Sequence, residues 1–420
     1  MKKISNYVDY DKKENWKEGS KFVHGALGSD PMTGSVSFPI FQTATFKFRG
    51  LGDSLGFDYT RCQNPTIEEL ERTMAILEHG TEGFALSSGM AAVMCAFSIL
   101  KPGDHVILSD DIYGGTYEIA LTTLADNKIE TSFVDLSILD EFKSAIKPNT
   151  KMVFIESPTN PMMKVADIAE ISKIAKDKGI VVVVDNTLLT PYYQKPLDLG
   201  ADIVVHSATK YLEGHNDTMA GIVVVKDEEI GLAMRDFLKY QGACLAPLNA
   251  WLTLRGIKTL EVRMQRHNEN TMKVANYLRN HPKVKKVYYV GFEDHPNYDV
   301  TKKQTTGFGG MLSFEVDSKE TALKVIDKVD MILFAGSLGG VESLITYPMV
   351  VTHHEVPEEV REKLGINERF LRLSVGIEDA DDIIADLEQA LEGKYVKMKK
   401  FSSKSLNVSR NNFYFFNFSK

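Results

Sequence analysis

Short, strongly apolar runs alternate with helical segments through the middle of the chain. Seven such runs lie between Gly83 and Val225: FAL, HVIL, TSFV, MVFI, IVVVV, DIVVH and GIVVV. Runs that are apolar at both alternating positions are typical of strands buried on both faces of a sheet, and intervening helices favour parallel pairing. The pattern therefore predicts an α/β domain with a mostly parallel seven-stranded sheet.

Polar and turn-forming residues indicate where the helices begin and end. Asn64 is a suitable N-cap for a helix that starts at Pro65, and apolar residues then recur at helical spacing until Gly80. A second helix is predicted over 166–177, ending before Gly179. These helices would cover the faces of the predicted sheet.

The pattern changes on either side of this region. Residues 1–62 lack periodicity, which predicts an extended N-terminal arm, and the large domain then covers 63–259. From about Leu260, a long helical stretch, the hairpin-like runs VKKVYYV, GGMLSFEV and FLRLSV, and a closing helix predict a smaller α+β domain, 260–396. Residues 397–420 form a tail rich in Ser, Asn and Phe, which is predicted to be disordered or to dock on the body.

Composition narrows the choice of function. The chain has 420 residues, 43% of them hydrophobic, and can bury a large core. Its formal net charge of −8 opposes binding to nucleic acid. The sequence shows no signal peptide or membrane span, so a cytoplasmic location is expected. The three cysteines, Cys62, Cys95 and Cys244, have spacings that suggest neither a disulfide framework nor a metal site.

Two charged residues at the ends of apolar runs carry the main chemical signal. Asp185 ends one predicted strand, and Lys210 follows another after Ser207 and Thr209. The carboxyl ends of parallel strands meet at one ligand-binding edge, so an acid and an amine would share a site. Pyridoxal 5′-phosphate (PLP) needs a carboxylate beside its ring nitrogen, a nucleophilic lysine and phosphate donors. A strand cap and a solvated lysine are the alternatives.

Three further features suit the same cofactor. The turn over 87–92 precedes a helix whose backbone N–H groups would bind an anion, although a plain β-to-α turn explains it equally. Tyr113 lies in a glycine-flanked loop and could stack on an aromatic ring, or be a surface tyrosine. Arg372, inside the alternating run FLRLSV, needs an anionic partner, either a substrate carboxylate or a structural acid.

Several motifs together resemble the Cys/Met-metabolism family of PLP enzymes, the trans-sulfuration enzymes. The resemblance covers roughly residues 20–395. The motifs are FDYTRCQNPT, ALSSGMAA, DDIYGGT, ESPTNP, VVDNT, HSATKYLEGH, GSLGGVESLITYP and LRLSVGIED. The resemblance implies PLP fold type I, an aminotransferase-like α/β fold with a smaller C-terminal domain.

The resemblance also implies residue roles. Lys210 would form the Schiff base, Asp185 would face the ring nitrogen, and Tyr113 would stack on the ring and transfer protons. The phosphate would be held by Gly89, Met90, Ser207 and Thr209, and by Tyr59 and Arg61 of a neighbouring subunit. The substrate would be held by Asn160, Glu342, Ser343 and Arg372. The family is usually tetrameric, a dimer of dimers that share sites between subunits.

The exact reaction is less constrained than the cofactor. Methionine γ-lyases usually carry a cysteine where this chain has Gly115, which disfavours that activity. Glu342 resembles an acidic residue that can recognise a distal amino group, which favours a cystathionine-type substrate. The leading hypothesis is cystathionine γ-synthase, which replaces the γ-substituent of an O-acyl-homoserine with cysteine. Alternatives are cystathionine γ- or β-lyase, O-acetylhomoserine sulfhydrylase, and an inactive binding protein on the same fold.

Overall fold

A seven-stranded sheet forms the centre of the larger part of the molecule. The computed structural model describes residues 15–351 and 357–393. The strands of this sheet are β1 Glu82–Leu86, β2 His105–Ser109, β3 Glu130–Val134, β4 Thr150–Glu156, β5 Val181–Asp185, β6 Ile203–Ser207 and β7 Gly221–Val225. All seven apolar runs are therefore strands, which confirms the predicted α/β fold with a mostly parallel sheet.

The sheet topology brings most of the strand ends together. The order is β1-β7-β6-β5-β4-β2-β3. Strand β7 runs antiparallel to both of its neighbours, and the other neighbouring pairs are parallel. Strands β2, β4, β5 and β6 consequently end at the same edge of the sheet. Ligands of open parallel sheets bind at this edge.

Helices cover both faces of the sheet because its strands are apolar on both sides. Those of this part of the chain are Pro65–Leu77, Gly89–Phe97, Gly114–Ile119, Leu139–Ala145, Ile168–Lys176, Thr190–Tyr193, Glu228–Gln241 and Pro247–Ile257. Val184 and Val204 belong to one apolar core, and Val183 and Val205 belong to the core on the opposite face. Asn64 caps its helix as predicted, since its side chain accepts a hydrogen bond from the Thr66 backbone N–H.

A second, smaller sheet follows along the chain. Its strands are β8 Val284–Tyr288, β9 Met311–Val316, β10 Leu333–Phe334, β11 Leu344–Thr346 and β12 Phe370–Ser374. They lie in the order β10-β11-β12-β9-β8, with antiparallel pairing except between β10 and β11. The helices are Leu260–Asn280, Tyr298–Gln304, Lys319–Lys328, Pro348–Val351, Glu358–Leu364 and Ala380–Glu392. This mixture is the predicted α+β arrangement, and it places Arg372 in the middle of β12.

The N-terminal stretch is less extended than its sequence predicts. It contains the helix Glu18–His24, whose Phe22 is buried in the core beside the helix Pro65–Leu77. The segment after it is irregular and is tied to the body by single hydrogen bonds, such as that from Trp251 Nε1 to the Phe38 carbonyl, 3.0 Å. The domain boundaries given above stay predictions.

The sequence predicts no membrane span and a tail over residues 397–420. Within residues 15–351 and 357–393, the structure contains no helix with the length and apolarity needed to cross a bilayer. The tail predicted over 397–420 lies outside the described residues.

Candidate active site

The edge where the parallel strands end gathers the residues that the sequence singled out. Strand β4 ends at Glu156, β5 at Asp185 and β6 at Ser207. Gly89, which opens the helix after β1, is packed against Ser207, since a Cβ at Gly89 would lie 2.7 Å from the Ser207 Cβ. Acidic groups and hydroxyl or backbone N–H donors therefore lie side by side along one edge.

Lys210 is held in a tight turn directly after β6. Its backbone N–H donates to the Ser207 carbonyl at 3.1 Å, and its carbonyl accepts from the Gly214 N–H at 2.8 Å. The Lys210 ammonium donates to Ser337 Oγ at 2.7 Å. Burial, and then the nearby Arg372 cation, lower the pKa of Lys210 to about 8. An amine with this pKa is available as a nucleophile or base near neutral pH.

Two neighbouring carboxyl groups lie at the ends of β4 and β5. Asp185 accepts a hydrogen bond from the Thr187 N–H at 2.9 Å, and its pKa is raised by burial. Glu156 accepts from the Tyr113 N–H at 3.0 Å and from the Asn160 N–H at 2.9 Å. Its pKa is raised well above the ordinary value by burial and by the charge of Asp185. Glu156 thus holds the two loops that carry Tyr113 and Asn160.

Arg372 extends from the smaller sheet to the larger one. It is 2% exposed. Its Nη1 donates to Asn160 Oδ1 at 3.2 Å, and its Nη2 donates to the Ser337 carbonyl at 2.6 Å and to Thr346 Oγ1 at 3.2 Å. Its Nε is buried without a hydrogen-bond partner among the described residues, and burial lowers the pKa of the guanidinium to about 10. No carboxylate of the described residues pairs with this cation, so it can accommodate an anionic group of a ligand.

The candidates for binding the phosphate lie at the start of the helix Gly89–Phe97 and directly after β6. The first N–H groups of the helix that begins at Gly89, including that of Met90, have no acceptor within the helix, so they can bind an anion. The hydroxyl of Ser207 is close to Gly89. Thr209 is already engaged, because its Oγ1 donates to the Ala220 carbonyl at 3.2 Å and accepts from the Ala220 N–H at 3.1 Å.

Tyr113 lies beside this anion-binding turn. Its side chain is 45% exposed. A Cβ at Gly115 would lie 2.7 Å from Tyr113 Cε1 and 2.8 Å from Met90 Sδ. The phenol ring therefore packs against Gly115 and close to Met90, on the open side of the site where a planar ligand could stack on it.

Other predicted site residues have partners elsewhere. The Ser343 hydroxyl donates to Glu378 Oε2 at 2.9 Å and accepts from the Gly376 N–H at 2.9 Å. Both of its hydrogen-bonding capacities are thus used within the chain. Glu342 Oε2 accepts from Asn216 Nδ2 at 2.7 Å, at the surface. Its partner follows the Lys210 turn, so Glu342 lies at the periphery of the site.

Tyr59 and Arg61 lie apart from this cluster within one chain. The Arg61 guanidinium is 5.4 Å from the centre of the Tyr59 ring, and it donates to the Lys239 carbonyl. Tyr59 is 45% exposed. Both side chains are therefore on an open part of the arm, and the single chain gives them no contact with the candidate phosphate site among the described hydrogen bonds and ring contacts.

Comparison with known proteins identifies the family to which this arrangement belongs. Residues 19–392 match the family model described as Cys/Met metabolism PLP-dependent enzyme. The chain belongs to that family. The family members are PLP-dependent, and this member is accordingly a PLP-dependent enzyme of trans-sulfuration chemistry that acts on a γ-substituent or a carbon–sulfur bond.

Individual relatives cover nearly the whole of the matched region. Cystathionine γ-lyase of Bacillus subtilis (strain 168) is 46% identical, over 90% of this chain and 99% of the relative. Cystathionine β-lyase of Lactococcus lactis subsp. cremoris (strain MG1363) is 46% identical, over 89% of this chain and 99% of the relative.

Two further matches widen the comparison. Cystathionine γ-synthase/O-acetylhomoserine (thiol)-lyase of B. subtilis is 46% identical, over 86% of this chain and 93% of the relative. The crystal structure of cystathionine γ-lyase from Lactobacillus plantarum, complexed with L-serine, superposes with a TM-score of 0.88 at 41% identity. It covers 90% of this chain and 99% of that chain.

The residues at this edge fit the cofactor of the family. A lysine with a lowered pKa, a carboxylate at a neighbouring strand end and backbone N–H groups at a helix start are the donor set that PLP needs. When bound, PLP supplies an acceptor for the electrons released at the substrate Cα. We expect Lys210 to hold it covalently, Asp185 to face its ring nitrogen, and Gly89, Met90 and Ser207 to hold its phosphate.

The lowered pKa of Lys210 can be measured without the cofactor. In cofactor-free protein, competitive labelling with acetic anhydride should modify Lys210 increasingly as the pH rises through about 8, well below the ordinary lysine value of about 10.4. The Lys210 peptide is followed by mass spectrometry, with exposed lysines in the same digest as reference. A midpoint at the ordinary value would contradict the proposed burial of the amine beside Arg372.

Proposed function

We propose that this enzyme is a cystathionine lyase, which breaks a carbon–sulfur bond of cystathionine by elimination. Support comes from the relatives named cystathionine γ-lyase and β-lyase, each 46% identical over about nine tenths of the chain. The γ-synthase hypothesis, which led on sequence grounds, has the support of the synthase/thiol-lyase relative at equal identity over a shorter match. The lyase relatives match a longer part of this chain than the synthase/thiol-lyase relative, so the comparison favours the lyase alternative.

Ser337 contacts both Lys210 and Arg372, and this observation gives the main support for elimination chemistry at the site. Its Oγ accepts from the Lys210 amine at 2.7 Å, and its carbonyl accepts from Arg372 Nη2 at 2.6 Å. A substrate carboxylate bound by Arg372 would place its Cα within reach of the Lys210 amine. The same amine can then remove the Cα proton and return a proton to the product, as a positioned general base and acid.

Neighbouring residues complete the proposed roles. Asn160 accepts from Arg372, so it orients the guanidinium toward the carboxylate. Tyr113, packed against Gly115, is the second group that can donate or accept a proton. A Cβ at Gly115 would lie 2.7 Å from Tyr113 Cε1, so the glycine leaves room for the phenol ring at this position.

Glu342 is the candidate for recognising the distal part of the substrate. It lies at the periphery, where its carboxylate accepts from Asn216 Nδ2 at 2.7 Å. One oxygen of Glu342 has this amide donor, and a carboxylate can accept several hydrogen bonds. Its charge suits the distal ammonium group of cystathionine, which a simple thiol substrate lacks.

Product identification tests the proposal. Cystathionine supplied alone should yield ammonia, 2-oxobutyrate and cysteine if the bond between the γ-carbon and sulfur breaks. It should yield ammonia, pyruvate and homocysteine if the bond between the β-carbon and sulfur breaks. O-acetyl- and O-succinyl-homoserine with cysteine form the comparison set. Efficient synthesis of cystathionine in that set, with no keto acid from cystathionine alone, would overturn the lyase proposal and restore the synthase hypothesis.

We also propose that the active site is completed by a second copy of the chain. Support comes from the exposed Tyr59 and from Arg61, which the single chain keeps away from the phosphate-binding candidates. In an assembled dimer, the arm of each subunit would bring these residues to the neighbour's phosphate, as the resemblance to tetrameric enzymes implies.

Mixing two variants, each defective at a different residue, checks this sharing. We expect Arg61→Ala to weaken PLP retention, because one phosphate donor is lost, and Lys210→Ala to be inactive. After verified subunit exchange, each mixed dimer should contain one complete site and one doubly defective site, so a random equimolar mixture should recover about a quarter of wild-type activity. The absence of any recovery would place Arg61 in its own chain's site or outside the site.

A further inference from the structure

A buried polar pair lies on the opposite face of the sheet from the cofactor residues. Glu78, directly after the helix Pro65–Leu77, and His206 of β6 have side chains with 0% exposure. Their Oε1 and Nε2 atoms are 2.6 Å apart. Successive residues of a strand point to opposite faces, so His206 faces the Pro65–Leu77 side while Ser207 faces the other. None of the proposed catalytic steps uses this pair.

The pair continues into a buried network of amides. Glu78 Oε1 also accepts from Asn186 Nδ2 at 2.9 Å, and the same nitrogen donates to the Gln194 carbonyl at 2.8 Å. Gln194 Nε2 donates to Asn186 Oδ1 and to the Ser157 carbonyl, each at 3.0 Å. Glu78 Oε2 and His206 Nδ1 have no hydrogen-bond partner among the described residues, but the bonds that are made favour one arrangement of these segments.

Each anchor of this network is next to a residue of the site. Asn186 follows Asp185, His206 precedes Ser207, and the Ser157 carbonyl begins the loop that leads to Asn160. On the sheet itself, the Asn186 N–H donates to the Val205 carbonyl at 3.0 Å. The network therefore holds the ends of β5 and β6 from one face of the sheet, while the residues proposed to hold the cofactor lie on the other face.

We propose that Glu78 and His206 are positioning residues that set the place and the charge of Asp185 from the rear face of the sheet. Asp185 has to remain ionised beside the ring nitrogen although it is buried. The inference rests on the proposed role of Asp185. It concerns residues with no proposed contact to the substrate: Glu78 lies outside the motifs above, and His206 opens the motif HSATKYLEGH without a role assigned to it.

Electrostatics supports the geometric argument. Burial raises the pKa of Asp185; the hydrogen bonds from Thr187, and after them the charge of His206, lower it. The neighbouring carboxyl group is Glu156 on β4, and the charge of Asp185 raises the pKa of Glu156. Because Glu78 fixes the imidazole at 2.6 Å, loss of either member of the pair would leave Asp185 with less compensation for its burial.

The test uses Glu78→Gln and His206→Gln, which keep the size and most hydrogen-bonding atoms but change the charges. The holoenzymes are titrated by following the visible cofactor band with pH, and PLP affinity is measured by reconstitution. A positive charge on the ring nitrogen favours loss of the proton from the second titrating group of the cofactor. Weaker protonation of the ring nitrogen should therefore raise the pH midpoint at which the visible band changes. We expect a rise of up to about one unit and about tenfold weaker PLP binding.

Glu71→Gln is the matched control. Glu71 is another buried carboxylate of the same helix, 3.2 Å from Arg235, and it binds the Ala85 N–H of β1 rather than the segments beside the cofactor. It should lower thermal stability without moving the cofactor titration.

Two outcomes would overturn the inference. If Glu78→Gln and His206→Gln leave the pH midpoint of the cofactor band and the PLP affinity unchanged, the pair contributes to stability alone. The same conclusion follows if their shifts equal those of Glu71→Gln. Should Glu78→Gln fail to fold, His206→Gln decides alone. A wild-type protein with no cofactor band would reject the active site itself, whereas a normal wild-type band with unshifted variants rejects only the role of this pair.

Discussion

Replacing Lys210 with alanine should reduce turnover by about 10⁴-fold or more while leaving the fold intact. The amine is the group proposed both to hold the cofactor and to move the substrate proton, and positioned acid–base groups alone typically contribute about 10²- to 10⁴-fold. Truncation removes one hydrogen bond, to Ser337 Oγ, from a side chain that is partly exposed. Keto-acid release from cystathionine, thermal denaturation and the cofactor spectrum measure the effect.

A surface lysine provides the comparison for this variant. Lys147→Ala removes an exposed ion pair with Glu130 at 3.4 Å, which contributes little to stability. It should keep normal activity and the visible band. In Lys210→Ala, PLP should remain only noncovalently bound and be removed by dialysis. Near-normal turnover by Lys210→Ala would make the assignment of the catalytic lysine wrong.

The sheet was predictable because its strands are unusually apolar. Seven runs rich in Val, Ile and Phe became seven strands, and the carboxyl ends of β5 and β6 carry Asp185 and the segment of Lys210 as expected. Burial on both faces leaves such runs few alternatives. The helix Glu18–His24 was missed because only one of its residues, Phe22, is buried, so it shows little apolar periodicity.

The site was less predictable where it depends on contacts between distant segments. Glu156 ends an apolar strand just as Asp185 does, and that pattern could have identified it. Ser337 lies in the motif GSLGGVESLITYP, but the motif assigns it no role, since it becomes important only when β12 and the Lys210 turn meet. A hydroxyl in a loop has no sequence feature that reveals its partner.

Three residues that the sequence predicts to bind cofactor or substrate show the same limit of sequence-based prediction. The hydroxyls of Ser343 and Thr209 are engaged with groups of their own chain, which residue type alone does not reveal. Arg61 is on the arm, where only an assembled oligomer can decide its role. Their proposed ligand contacts stay predictions, whereas the α/β fold and the PLP-dependent family are confirmed.

Asp185→Asn should lower kcat by about 10³-fold, equivalent to about 4 kcal/mol of transition-state stabilisation. The amide has the shape of the carboxylate and can still accept from the Thr187 N–H at 2.9 Å. It carries no charge to keep the ring nitrogen protonated, so electrons from the substrate Cα are accepted less well. Single-turnover kinetics with cystathionine and the cofactor spectrum should both report the loss.

The same substitution should not destabilise the cofactor-free protein. Burial raises the pKa of Asp185, so this group does not affect stability at acid pH, where it is protonated in both states. It opposes folding increasingly as the pH rises through its unfolded pKa, and fully above its folded pKa. Asp185→Asn should therefore raise the melting temperature near pH 7, with the gain shrinking toward pH 4, while PLP stabilises the variant less than wild type. A variant with lower cofactor-free stability at neutral pH and unimpaired turnover would refute both the cost of burying the Asp185 charge and the catalytic role assigned to it.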